Sequence, residues 1–327
     1  ENNKAEIIMA CDYIELANKG VQGLQPYQPG KPVEELEREL GISDIVKLAS
    51  NENPLGPSPK ALAAIHTVLT ELTRYPDGNG FRLKAALAEK LGVDTDQITL
   101  GNGSNDVLEM IARSYLTAHS ASMYSQHAFA VYPIVTQAIG AQHMAVPAKD
   151  WGHDLEAMAE AITDKTRVIF VANPNNPTGT WLTETELRAF LDKVPERIIV
   201  VLDEAYTEYV VQDEFPDGIA LLKDYPNLVV TRTFSKAYGL AGLRIGYSVS
   251  NPQVADILNR IRQPFNANIA AQEAAIAALN DEAYLQQSVE VNAEGMSYLE
   301  TEFARLGLEF IPSVGNFISV DVGQPAA

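Results

Sequence analysis

Between about residues 58 and 251, segments with helical periodicity alternate with short runs rich in β-branched residues. The helical segments are Ala61–Leu72, Phe81–Leu91, Val107–Tyr115, Leu155–Ile162 and Glu184–Leu191. The strand-like runs are Gln97–Leu100, Thr166–Val171, Ile198–Leu202, Leu228–Thr231 and Ile245–Val249. Strands that alternate with helices of this length form a mainly parallel sheet with helices on both faces. We therefore predict an α/β fold whose large domain has three α/β/α layers.

The C-terminal part of the chain has a different pattern and predicts a smaller α+β domain. Helical stretches precede two strand-like runs there: Asn251–Arg262, Ile269–Leu279 and Ala283–Leu306, then Leu308–Ile311 and Phe317–Val320. The first 50 residues or so have few strand signals, and we expect them to pack on this domain with an extended arm around Pro26–Pro32. The predicted division is a large domain at 52–265, and an arm and small domain at 1–51 and 266–327.

The composition is that of an ordinary folded chain and limits its partners. A length of 327 residues corresponds to about two domains at roughly 150 residues each. The 24 Lys and Arg residues against 43 Asp and Glu give a net charge of −19, which argues against binding to nucleic acid or to anionic membranes. No apolar run reaches the length of a membrane-spanning helix, and no signal pattern opens the chain. We expect a cytoplasmic protein.

Cysteine and histidine usage argues against disulfides and metal. Cys11 is the only cysteine, so the sequence has no internal disulfide framework and no cysteine-based metal site. His119, His127 and His143 do not have metal-ligand spacing. We expect no metal.

Polar motifs follow four of the predicted strands, and in such sheets ligands bind beyond the carboxyl ends of the strands. The motifs are Gly101–Asn105, Asn173–Gly179, Asp203–Tyr206, and Thr233–Lys236 with Arg244. Each has an ordinary interpretation. Lys236 could be a solvated surface lysine, Asp203 a helix cap, and Tyr206 a partly buried aromatic.

Taken together, the motifs meet the chemical needs of one cofactor. Pyridoxal phosphate requires an amine for its aldehyde and a carboxylate for its pyridine nitrogen. Its phenolic oxygen requires hydrogen-bond partners, and its phosphate requires a helix N-terminus with hydroxyl and cationic groups. A lysine amine that serves this purpose must lose its proton near neutral pH, which burial and a neighbouring cation promote.

The sequence resembles the fold type I pyridoxal-phosphate aminotransferases. The matching segments, in the family's order, are NPNNPTG at 173–179, DEAY at 203–206 and TFSKAYGLAGLRIGY at 233–247. Within this family, the segments Leu24–Lys31, Leu48–Pro54 and Arg74–Gly78 are similar to the histidinol-phosphate aminotransferases. The resemblance extends from about Leu24 to the end of the chain.

The resemblance implies roles for residues around the cofactor ring. Lys236 would form the imine with the cofactor and then serve as the catalytic base. Asp203 would pair with the pyridine nitrogen, and Asn176 and Tyr206 would bind the phenolic oxygen. Phe129 would stack on the ring, where many relatives have a tyrosine; the phenol hydroxyl is then lost.

The resemblance also implies a phosphate site and a dimer. Arg244 and Ser235 would hold the phosphate with help from Thr233. Backbone N–H groups near Gly103, Ser104 and Asn105 would complete this site. Tyr75 would reach a phosphate across the interface of a homodimer, so that each active site would need both subunits.

Substrate contacts are expected from Tyr27 and Asn53, although each also has an ordinary interpretation, as an arm residue and as a turn residue. Members of the family usually continue for several tens of residues and bind the acidic group of the substrate with an arginine in that tail. This chain ends at Asp321–Ala327 without such an arginine. We expect a missing tail and an incomplete small domain.

The implied activity is transfer of an amino group between histidinol phosphate and 2-oxoglutarate, giving imidazole acetol phosphate and glutamate, in histidine biosynthesis. An aromatic amino-acid aminotransferase would share every cofactor residue. A fold type I decarboxylase or lyase acting on a phosphorylated amino acid is a third interpretation. A non-catalytic regulatory domain is remote, because the 23 residues before the resemblance are too few and not basic.

Overall fold

A computed structural model describes residues 12–27 and 30–324 of the chain. Cys11, part of the predicted arm around Pro26–Pro32 and the last three residues lie outside this range. None of the helices in the described part of the chain is both long and apolar enough to cross a membrane.

A seven-stranded, mainly parallel sheet forms the centre of the molecule. Its strands are β1 (Ile98–Gly101), β2 (Ala121–Ser125), β3 (Gln142–Val146), β4 (Thr166–Ala172), β5 (Ile199–Asp203), β6 (Leu228–Thr233) and β7 (Gly246–Ser250). Their spatial order is β1-β7-β6-β5-β4-β2-β3. The strands from β3 to β6 pair in parallel, whereas β7 is antiparallel to both β6 and β1. The predicted α/β class is confirmed.

Helices lie before, between and after these strands in the chain, and they cover the sheet. They are α1 (Tyr13–Leu16), α2 (Lys19–Gln22), α3 (Val33–Leu40), α4 (Pro59–Val68), α5 (Phe81–Leu91), α6 (Ser104–Tyr115), α7 (Val131–Ile139), α8 (Leu155–Glu160), α9 (Glu184–Leu191), α10 (Gly218–Leu221), α11 (Pro252–Ile261), α12 (Ile269–Leu279) and α13 (Glu282–Leu306). Short 3-10 turns lie at Leu69–Glu71, Thr95–Gln97, Thr207–Tyr209 and Ala241–Leu243. After α13, β8 (Phe310–Ile311) and β9 (Ser319–Val320) form an antiparallel pair, shorter than the two runs predicted there.

The sheet has a hydrophobic core on each face, because successive side chains of a strand point to opposite sides. In β4, Ile169 joins one buried cluster, which includes Leu83 of α5. Its neighbour Phe170 joins the other cluster, which includes Ile111 of α6. The two cores give the predicted three layers.

The sequence analysis did not predict β2, β3 and α7 of the central sheet region, nor the helices α1, α2, α3 and α10. β2 contains two serines, and the hydroxyl of Ser122 is paired with Thr136 of α7 at 2.6 Å, so the strand is buried without being strongly apolar. α7 is rich in β-branched residues and contains Pro133, a composition that does not favour a helix.

Two contacts bear on the predicted division into domains, which stays a prediction. A Cβ on Gly20 of α2 would lie 1.9 Å from the carbonyl oxygen of Gln137 in α7, so α2 packs closely on a helix of the central unit. Ala271 and Ala275 of α12 belong to the same buried cluster as Leu83. These contacts favour a large unit that includes 19–22 and 269–279.

Candidate active site

A cleft of about 650 Å³ opens at the carboxyl ends of β4, β5 and β6. It brings together most of the residues predicted from the motifs: Tyr27, Ser104, Asn105, Phe129, Asn176, Asp203, Tyr206, Thr233, Ser235, Lys236 and Arg244. Their segments are far apart in the sequence but meet because parallel strands end at the same edge of the sheet.

Asp203 is the last residue of β5 and is 5% exposed. One carboxylate oxygen accepts a hydrogen bond from the Tyr132 hydroxyl at 2.7 Å, and the other accepts one from Thr231 Oγ1 at 3.0 Å. Burial raises the pKa of this carboxyl, and the two hydrogen bonds oppose the rise. Tyr132 was not predicted, although it lies only three residues after Phe129.

Lys236 lies three residues after the end of β6 and lines the cleft beside Tyr206. Its ammonium donates a hydrogen bond to the Ser50 carbonyl oxygen at 2.8 Å and lies 5.6 Å from the centre of the Tyr206 ring. The pKa of Lys236 is lowered to about 8, mainly by burial; Glu52 opposes this fall, and Arg244 and Lys47 contribute to it. A substantial share of this amine is therefore neutral near physiological pH.

The Tyr206 hydroxyl accepts two amide hydrogen bonds in the cleft. Asn176 Nδ2 donates one at 2.9 Å, and Asn51 Nδ2 donates the other at 3.1 Å. Phe317 packs edge-on against the ring, with 5.0 Å between ring centres. Burial raises the pKa of Tyr206 to about 12, so the phenol stays protonated.

An anion cradle lies at the N-terminus of α6. The helix begins at Ser104, directly after Gly103, whose φ is +85°. Arg244 Nη1 donates to Ser235 Oγ at 3.3 Å, and Thr233 Oγ1 accepts from the Ser235 backbone N–H at 3.1 Å. A Cβ on Gly103 would lie 2.3 Å from Arg244 Nη2, so only glycine lets the guanidinium approach the helix start. Free helical N–H groups, hydroxyls and a guanidinium favour a phosphate.

Aromatic side chains form the remaining walls. Phe129 lines the cleft and contacts Tyr132 edge-on, with 5.8 Å between ring centres. Tyr27 lines the mouth and is 56% exposed. The cleft thus offers a flat apolar face beside its polar groups.

Three predicted residues do not line the cleft of their own chain. Gly103 lies behind it and makes room for Arg244. Tyr75 is 81% exposed and stacks on Phe265 at 4.6 Å. Asn53 is buried, and its amide donates to Ala237 O and Ser288 Oγ, each at 2.9 Å; its substrate contact stays a prediction. Asn51, two residues earlier, lines the cleft instead.

The fold and the donor set of this cleft define a pyridoxal-phosphate enzyme of fold type I: an amine, a buried carboxylate, an anion cradle and an aromatic wall at one edge of the sheet. The family model for class I and II aminotransferases matches residues 43–327. The chain belongs to the class I and II aminotransferases and, within them, to the histidinol-phosphate aminotransferase family.

The individual relatives agree with this assignment. Histidinol-phosphate aminotransferase 2 of Pseudomonas fluorescens is 63% identical over 98% of this chain and 87% of its own length. Histidinol-phosphate aminotransferase 1 of Idiomarina loihiensis is 61% identical over 96% and 85%. The crystal structure of the Sinorhizobium meliloti histidinol-phosphate aminotransferase in complex with pyridoxal-5′-phosphate superposes with a TM-score of 0.85 at 35% identity, covering 90% of this chain and 80% of that one. The resemblance inferred from the motifs is confirmed.

Proposed function

We propose that this protein is a pyridoxal-phosphate-dependent aminotransferase that exchanges an amino group between histidinol phosphate and 2-oxoglutarate in histidine biosynthesis. The observation that carries the reaction class is the meeting of Lys236, Asp203 and the anion cradle in one cleft. The names of relatives at 57–63% identity support the substrate.

Asp203 would hold the cofactor by its pyridine nitrogen. When bound, pyridoxal phosphate supplies an aldehyde that condenses with amines and a protonated ring that withdraws electrons from the substrate Cα. Tyr132 and Thr231 hold both Asp203 oxygens and restrict the orientation of the carboxylate. The charge on Asp203 would keep the ring nitrogen protonated.

Lys236 would act as the catalytic base, taking the proton from the substrate Cα and delivering it to the bound cofactor. Its lowered pKa, about 8, leaves neutral amine available as a nucleophile and then as a base. The Ser50 carbonyl, which accepts a hydrogen bond from Lys236, holds the amine over the cleft. Tyr206 and Asn176 lie beside it and would bind the phenolic oxygen.

The cradle around α6 would fix the cofactor phosphate. Ser104 and Asn105 bring helical N–H groups, Ser235 a hydroxyl and Arg244 a positive charge. Thr233 would act indirectly by holding the Ser235 backbone. Phe129 would cover one face of the ring and exclude water from it.

Tyr27 is our candidate for substrate contact at the mouth of the cleft. Its phenol could donate a hydrogen bond to the phosphate of histidinol phosphate, while its ring would cover the imidazole. The mouth also contains Glu52, whose carboxylate is paired with Lys47 at 2.8 Å.

We also propose a homodimer in the cytoplasm. Large apolar side chains of the N-terminal half are strongly exposed, with Leu48 at 92%, Tyr75 at 81% and Phe81 at 71%, and a second copy of the chain would cover them. Tyr75 would then serve the phosphate site of the partner. Sedimentation of the purified protein tests this proposal, and a fully active monomer would overturn it.

Steady-state assays with purified protein test the reaction and the substrate. We expect visible absorbance from bound pyridoxal phosphate, glutamate-dependent transamination, and a kcat/KM for histidinol phosphate far above those for phenylalanine and tyrosine. Lys236→Arg, which keeps the charge, should bind the cofactor without turnover. A preference for the aromatic amino acids would replace the proposed substrate, and release of CO2 from a phosphorylated amino acid would replace the reaction.

A further inference from the structure

The hydroxyl of Tyr206 receives more hydrogen bonds than its proposed role requires. A phenol oxygen can accept hydrogen bonds and has one hydrogen to donate. Here the amides of Asn176 and Asn51 both donate to it, at 2.9 and 3.1 Å. Neither amide nitrogen can accept the Tyr206 hydrogen, which is left to point towards another acceptor in the cleft.

Asn51 is held firmly in the position from which it donates. Its φ is +53° and that of Ser50 is +74°, so two consecutive residues with side chains adopt the left-handed conformation. Asparagine tolerates this conformation better than most residues. The Asn51 carbonyl accepts a hydrogen bond from Asn316 Nδ2 at 2.9 Å, and the Ser50 carbonyl accepts one from Lys236 at 2.8 Å. The turn is therefore tied both to the site and to the C-terminal part of the chain.

We infer that Asn51 is a positioning residue for the reaction: its amide occupies an acceptor position of the Tyr206 hydroxyl and thereby directs the Tyr206 hydrogen to the phenolic oxygen of the bound cofactor. The inference rests on the proposed function, because the acceptor is an oxygen of pyridoxal phosphate. It also assigns a role to a residue that the sequence motifs did not single out.

The predicted consequence is a change in the proton affinity of the imine that Lys236 forms. A hydrogen bond donated to the phenolic oxygen draws electron density from it and weakens its attraction for the neighbouring imine proton. Loss of the Asn51 amide leaves the Tyr206 hydrogen free to turn away, so the imine should hold its proton up to a higher pH. The titratable and charged groups around Tyr206 are Asp203, Lys236 and Tyr27, with Glu208 and Tyr209 on the following turn. Those that act on Lys236 itself are Glu52, Arg244 and Lys47. All of them remain when Asn51 is replaced.

The test is a pH titration of the visible absorbance of the holoenzyme. Asn51→Gly removes the amide and keeps the left-handed backbone without strain. We expect its imine midpoint to lie about 0.5 pH unit above that of the wild type. Asn51→Asp should raise the midpoint further, because a carboxylate accepts the Tyr206 hydrogen and adds a negative charge. Asn227→Ala, which removes a buried structural amide that donates to Ile198 O at 2.8 Å just before β6, should lower the melting temperature and leave the midpoint unchanged.

A double-mutant cycle separates positioning from a structural effect. In a Tyr206→Phe background the hydroxyl is absent, so Asn51→Gly should produce no further shift. An equal shift in both backgrounds, or an unshifted Asn51→Gly titration beside a normal wild-type titration, would overturn the inference alone. A lower midpoint would mean that the amide oxygen of Asn51 accepts the hydrogen of Tyr206, and this result would also overturn the inference. A wild-type protein that takes up no pyridoxal phosphate would instead overturn the proposed function, and the inference with it.

Discussion

Replacing Tyr132 by Phe removes one of the two hydrogen bonds that hold Asp203. The Tyr132 ring is buried and stacks on Phe170 with 4.7 Å between ring centres, and a phenylalanine keeps this packing. The change is therefore confined to the hydroxyl that donates to Asp203 at 2.7 Å. Thr231 still holds the other carboxylate oxygen.

The magnitude follows from the charge of the acceptor. A hydrogen bond to a charged group contributes roughly 1.5–3 kcal/mol, so its loss raises the pKa of Asp203 further. Because burial already raises this pKa, the carboxylate loses part of its preference for the charged form that pairs with a protonated ring nitrogen. We expect the cofactor to dissociate at least about tenfold more readily, with a fall in kcat of similar size.

The assay is titration of cofactor-free protein with pyridoxal phosphate, followed by steady-state turnover at saturating cofactor. Tyr124→Phe is the matched control, because Tyr124 is also buried but its hydroxyl is paired with His143 of the edge strand β3 at 2.6 Å and does not line the cleft. Equal cofactor affinity and equal kcat in the two variants would refute the role given to Tyr132.

Three further predictions concern the groups around the cofactor. Cofactor uptake by cofactor-free protein should accelerate with pH with a midpoint near 8, since the pKa of Lys236 is lowered to about 8 from 10.5; a midpoint near 10 in stopped-flow absorbance would contradict this. Gly103→Ala should weaken pyridoxal-phosphate binding by about tenfold or more by displacing Arg244, whereas Gly92→Ala, at φ +68° with open space around it, should only lower stability. Asp203→Asn should raise the melting temperature of cofactor-free protein at pH 7 by about 2–4 °C or more. The folded-state pKa of Asp203 lies above its unfolded value, so the charged carboxylate destabilises the wild-type fold at pH 7. At low pH the carboxyl is protonated in both states, so the difference in melting temperature between variant and wild type should shrink towards pH 4. Thermal unfolding between pH 4 and pH 7 checks the sign.

The sequence predicts the edge of the sheet where ligands bind far better than it predicts the whole sheet. Asn173 directly follows β4 and Asp203 is the last residue of β5, and both strands are rich in β-branched residues, so the position of these motifs follows from the parallel order alone. Strand β2, in contrast, is buried although it contains polar side chains, because the hydroxyl of Ser122 pairs with that of Thr136. A pairing between two side chains on different elements leaves no hydrophobic pattern that could be seen in the sequence.

Residues that act through others were missed for a similar reason. Asn51 and Asn53 have the same side chain, two positions apart, and only the left-handed turn at 50–51 directs one to Tyr206 and the other to Ser288. Tyr132 donates to a carboxylate 71 residues away. Such contacts depend on how the elements pack, and a motif search has no access to them.

The two adjacent carboxylates at the end of β5 indicate why the cofactor ring belongs at Asp203. Successive residues there point to opposite sides. The fully buried Glu204 is paired with Arg232 at 2.7 Å and accepts from the Gly218 backbone N–H at 3.0 Å, so its charge is compensated within the chain. Asp203 is nearly as buried, yet its side-chain donors among the described residues are the neutral hydroxyls of Tyr132 and Thr231. A buried carboxylate without a cation is costly, and a ligand that brings a protonated ring nitrogen supplies the missing charge. The same strand end thus has one carboxylate that is neutralised within the fold and another that can pair with the cofactor. A net charge of −19 is compatible with an anionic ligand because a few local groups bind that ligand.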